Sequence, residues 1–145
     1  SEVATGLLWA WGVVAEIGLM AAAPALLGRW QLSSALRWAL ALSCARWLLF
    51  ATQPSLSWIV AGQALHAASF GLLHVASVQL VGSLTPTAFR NRGQAWLSVA
   101  TGGLGSVIGL LVAGQLAEWN LQTWPYAGAA LLAAAGLACA LRIER

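Results

Sequence analysis

Five long apolar runs, separated by short polar breaks, constrain this chain more than anything else in it. Crossing about 30 Å of hydrocarbon takes about 20 helical residues, and each run is of that order. They extend from Gly6 to Leu27, Ser34 to Thr52, Trp58 to Leu84, Gly93 to Ala117 and Trp124 to Leu141. The breaks carry turn chemistry: Gln53-Pro54-Ser55, then Thr85-Pro86-Thr87 with Arg90 and Arg92, then Glu118 to Thr123. Proline biases the residue before it away from the helix, so each Pro-containing break separates two spans.

Charge confirms which solvent the runs need. Seven arginines and four glutamates are the only formally charged residues, 8% of the chain, against about 25% in an ordinary soluble domain. So few charges cannot coat a water-soluble surface, whereas lipid requires no coat. The expected fold is therefore all-α: a polytopic membrane helix bundle of five transmembrane helices in one domain, 1–145. A net charge of +3 with no basic cluster excludes a nucleic-acid partner and leaves the bilayer as the surroundings. Cys44 and Cys139 sit in apolar runs without metal or disulfide spacing and read as small buried hydrophobes.

Arginine placement sets the expected orientation. Arg29 and Arg37 flank the first connection, Arg90 and Arg92 the third, and Arg142 and Arg145 the tail, while the second and fourth connections have none. Basic loops stay in the cytoplasm, which puts the N-terminus outside and the C-terminus inside. Trp9, Trp11, Trp58, Trp119 and Trp124 then form one interfacial belt and Trp30, Trp38 and Trp96 the other; only Trp47 lies well within a span. An odd number of crossings that starts outside, with no initiating Met, reads as a piece of a longer chain.

Function is sought where an ionisable group lies in oil, at a cost of about 2.5 to 3.5 kcal/mol each. Glu16, Arg46 and His66 lie on three different runs at about 15, 10 and 12 Å below the outer end. They share a depth at which a Glu16–Arg46 pair with His66 nearby is geometrically allowed. On the third run, Gln63, His66, Phe70, His74 and Ser77 fall within an arc of about 80° at 100° per residue. Such a stripe suits either a wet cavity holding a solute or a polar seam between helices. Glu16 is accordingly a proton carrier or one half of a static pair, and Arg46 a carboxylate binder or the other half. On the fourth run Ser98, Gly102, Gly105 and Gly109 repeat every three or four residues and are expected to pack against another helix. No HExxH, GxSxG or CxxC is present, so neither an enzyme nor a metal or cofactor site is expected.

Four segments carry a resemblance: GLLWAWGVVAEIGL (Gly6 to Leu19), RWLLFA (Arg46 to Ala51), QALHAASFGLLHVASVQL (Gln63 to Leu80) and RGQAWLSVATGGLGSVIG (Arg92 to Gly109). In order and spacing these resemble the phenylpropionate permease group of the major facilitator superfamily, whose more distant relatives include nucleoside–proton symporters. That resemblance implies that the five spans are the eighth to twelfth of twelve, with an N-terminal half and a seventh helix upstream. It implies a bacterial inner-membrane permease taking up a small organic acid, aromatic ones included, with a proton by alternating access. Glu16, Arg46, His66 and His74 match positions characteristic of the group. The basic motif the superfamily places after the first helix is incomplete in LLGRWQLSSALRW, which lacks its acidic residue. A competing expectation from the same composition is a non-transporting membrane scaffold or assembly subunit.

Overall fold

The computed structural model describes every residue except Ser1, Arg29, Pro54, Gln122 and 143–145, together with all but the side chain of Leu26. Arg29 and Arg145, invoked above for orientation, lie outside the described residues. Five helices follow in order: α1 (Glu2–Leu27), α2 (Leu32–Ala51), α3 (Leu56–Leu84), α4 (Thr87–Glu118) and α5 (Trp124–Ala140). No strand occurs among the described residues. The helices α1, α3 and α4 are long and apolar enough to span a membrane, whereas α5 is shorter and α2 carries Arg37 and Arg46. The chain is an integral membrane protein.

Helix ends extend beyond the apolar runs for local reasons. Glu2 stands in the first turn of α1, where the helix dipole favours a negative charge. Pro24 lies in the last turn of α1 and does not end it; the helix runs on to Leu27 and closes with Gly28 N–H donating to the Pro24 carbonyl at 3.1 Å. Arg90 and Arg92, expected in a loop, belong to α4, because Pro86 opens a 3₁₀ turn at Thr87–Phe89 that leads directly into the helix. Both long later helices contain a π-helical stretch, Ala67–Gly71 in α3 and Val99–Gly105 in α4.

Small residues set the packing. Ala23, Leu27, Ala35, Ala39, Leu72 and Ala76 form one buried cluster where the end of α1, the start of α2 and the second half of α3 meet. With no hydrophobic force between helices in lipid, close backbone approach through such residues is what holds them together. The same logic joins α5 to α2 through buried Ala130, Ala133 and Ala140. Arg37 adds a polar tie, its Nε donating to the Ala140 carbonyl at 3.1 Å at the end of α5. A cation there meets both an orphan carbonyl and the negative end of the helix. Replacing Arg37 by methionine is expected to destabilise the α2–α5 contact by about 1.5 to 3 kcal/mol, seen as faster hydrogen exchange over 130–140.

The fourth helix stands apart. It touches α3 near its start and α5 near its end, and none of its residues is buried. Its small residues Ser98, Gly102, Gly105 and Gly109 are exposed; a side chain at Gly102 or Gly109 would meet nothing within 4 Å. A side chain at Gly105 would meet only the Ala100 carbonyl of the same helix. The face expected to pack therefore meets no other helix among the described residues. Cys44 is half-buried and Cys139 is exposed, so the second cysteine is not the buried hydrophobe expected; both thiols are free.

Candidate functional site

A cavity of about 1050 Å³ opens between α1, α2, α3 and α5. Gly12, Val13 and Glu16 of α1 line one wall, and Ile59, Gln63, His66 and Phe70 of α3 another. Arg46, Trp47 and Phe50 of α2, with Tyr126 of α5, form the wall opposite, and Trp9 and Gln53 complete the lining. Five of the six residues expected along a solute path thus share one cavity. The sixth, His74, is exposed and outside its lining, on the far side of Phe70.

The charges pair differently from the arrangement the depths allowed. His66 Nε2 lies 3.9 Å from Glu16 Oε2, both side chains partly buried, while Arg46 forms no ion pair with Glu16. At 3.9 Å the pair is an ionic contact when the imidazole is protonated, not a hydrogen bond. Glycine at 71 permits this closeness: a Cβ there would lie 3.0 Å from Leu19 and 3.4 Å from the Glu16 side-chain stem.

Arg46 is 6% exposed, and its guanidinium carbon stands 4.0 Å above the Trp47 ring and 5.7 Å from that of Phe50. Those rings belong to an aromatic triad. Trp47 stacks on Tyr126 at 6.1 Å, and Phe50 meets both edge-on at 6.2 and 6.0 Å. Such cation–π contact holds a cation in a low-dielectric place without neutralising it. The Nε of Arg46 and the Nδ1 of His66 are both buried without a hydrogen-bond partner. A native structure seldom leaves two such groups in one place.

The aromatic triad escaped sequence reading except at Trp47, the one tryptophan well inside a span, whose depth was the available signal. Tyr126 gave none, since its role depends on α5 lying against α2. Gln53 was part of a turn marker; in the structure it takes φ 52° just past α2, a left-handed conformation rare outside glycine, and lines the cavity. Among the described residues, no three His, Cys, Asp or Glu side chains are grouped to hold a metal ion.

The family model described as "MFS_1 like family" matches residues 1–127. Over 117 residues the chain is 31% identical to the maltose permease of Geobacillus stearothermophilus, a match covering 80% of this chain and 30% of that protein. The chain therefore spans less than a third of that relative's length. No solved structure matches.

Proposed function

This chain belongs to the MFS_1 like family, and on that premise we propose that it forms part of a longer proton-coupled transporter for a small organic acid. The observation that carries this reading is a buried, unpaired Arg46 facing the same cavity as the Glu16–His66 pair. A planar guanidinium with free N–H groups fits a carboxylate, and the triad beneath it offers ring faces to an aromatic solute. The phenylpropionate-permease-like subgroup is the finer assignment this favours. Glu16 takes up the co-transported proton and His66 responds to it, since protonating one changes the charge the other faces. Transport proceeds by alternating access against an N-terminal half encoded upstream, in a bacterial inner membrane with the C-terminus in the cytoplasm.

A saccharide is the second reading, favoured by the permease relative and by two side-chain amides, Gln53 and Gln63, beside aromatic faces. Neither reading needs the scaffold role expected from composition alone, which gives no account of a cavity.

The test uses the full-length protein in proteoliposomes with radiolabelled 3-phenylpropionate and maltose as probes. Proton-driven accumulation of 3-phenylpropionate and not maltose is expected. Glu16→Gln is expected to abolish accumulation while solute counterflow continues, because exchange needs no net proton movement. Equal loss of both modes in a folded protein assigns Glu16 to structure, and accumulation of maltose alone selects the saccharide.

A further inference from the structure

The sequence between His66 and His74 contains no proline, yet α3 is not a regular helix there. Over Ala67–Gly71 it widens into a π turn, with Leu72 N–H reaching back five residues to the Ala67 carbonyl. Ser69, fully buried, donates its hydroxyl to the His66 carbonyl at 3.2 Å and clasps the turn from inside. In a regular helix His66 and His74 stand about 80° apart around the axis. A π turn absorbs one extra residue and so removes about 100°, leaving about 20° between them. Phe70 lies between the two rings, stacking on His66 at 5.1 Å and 12° and on His74 at 6.4 Å and 14°, contacts that i, i+4 neighbours also make on a regular helix.

Both halves of α3 pack against α1 and α2. Leu72 and Ala76 sit in the buried cluster with α1 and α2, which holds the second half. The first half, Leu56–His66, is tied by Trp11 Nε1 donating to the Val60 carbonyl at 3.3 Å and by Gly62 against the Phe50 ring, contacts that rewinding has to slide, and it presents Ile59, Gln63 and His66 to the cavity. The stem of Glu16 lies over Gly71, at the turn itself. Glu16 thus meets His66 through its carboxylate and the turn through its stem. Among the described residues, Arg46 of α2 also acts electrostatically on His66.

We infer that the π turn at Ala67–Gly71 is a winding switch: in the π form it sets His66 against Glu16, and on reverting to α-helix it turns the first half of α3 and carries His66 away. This rests on the transport reading above, and gives the Glu16–His66 pair a mechanical output. π turns inside helices recur at functional sites, and this one holds one residue of register that reversion to α-helix releases.

Deleting Ala68 from the full-length protein removes the stored residue, leaving a regular helix whose flanks keep their faces but can no longer rewind. Hydrogen exchange over 63–74 is expected to slow about tenfold. Counterflow of 3-phenylpropionate should fall about tenfold or more while its binding stays within about threefold of the parent. Ser69→Ala, which unclasps the turn, is expected to speed exchange over the same residues about tenfold, and serves alone if the deletion does not reach the membrane. Unchanged exchange in Ser69→Ala, parental counterflow in the deletion variant, or loss of binding together with counterflow overturns the switch. A parent that carries neither 3-phenylpropionate nor maltose counts against the transport reading, and the exchange rates then decide the switch by themselves.

Discussion

Replacing Arg46 by methionine in the full-length protein lowers affinity for an anionic probe such as 3-phenylpropionate by about 10- to 150-fold, equivalent to losing about 1.5 to 3 kcal/mol of charge-assisted hydrogen bonding. The same replacement is expected to leave thermal stability in detergent unchanged or raised. Both expectations come from one fact: the guanidinium is buried over Trp47 and has no carboxylate beside it. A buried cation held only by ring faces carries a desolvation cost that an apolar side chain of similar length relieves. A structural ion pair behaves oppositely, since truncating one member strands the other. Arg46→Lys should recover little of the affinity, because an ammonium lacks the planar fork that grips two carboxylate oxygens. Binding measured by quenching of tryptophan fluorescence, alongside the melting midpoint, separates the cases; lost stability with unchanged affinity would make Arg46 a structural residue.

Gly62→Val is expected to destabilise the fold by about 1 to 3 kcal/mol and to weaken probe binding with it. A Cβ at position 62 would lie within the contact distance of the Phe50 ring. That ring has no easy retreat, since Trp47 and Tyr126 pack on it at 6.2 and 6.0 Å. Moving Phe50 therefore disturbs the triad on which Arg46 rests, so a change on α3 is felt by a cation on α2. Gly128→Val is the control. A side chain there meets nothing within 4 Å, and little change in melting midpoint is expected. If both variants melt alike, the close approach at Gly62 does not matter to the fold.

Much of the candidate site was legible because depth in a membrane is nearly a one-dimensional quantity. Counting 1.5 Å per residue from each polar break places Glu16, Arg46 and His66 at a common level, and the structure brings all three to one cavity. Angle was less legible than depth. The stripe Gln63–His66–Phe70–His74 assumes a regular helix, whereas the one extra residue in the π turn removes about 100° between His66 and His74. Nothing in Ala-Ala-Ser-Phe-Gly announces such a turn, nor that Ser69 is buried in it and Gly71 lies against α1, which are outcomes of packing between helices.

The amino-acid sequence by itself determined that this protein is all-helical, lives in lipid and carries its few charges at particular depths. Run length, hydropathy and the scarcity of charged side chains are local properties, and a bilayer of defined thickness reads them segment by segment. Only the tertiary structure decided that Glu16 meets His66 and not Arg46, that Arg46 rests on Trp47 with Phe50 and Tyr126 around it, and that the small-residue face of α4 finds no helix among the described residues. Those outcomes depend on how each helix is rotated about its own axis against its neighbours. Lipid tails are as apolar as the helix faces, so rotation is chosen by van der Waals fit and polar contacts between segments far apart in the chain.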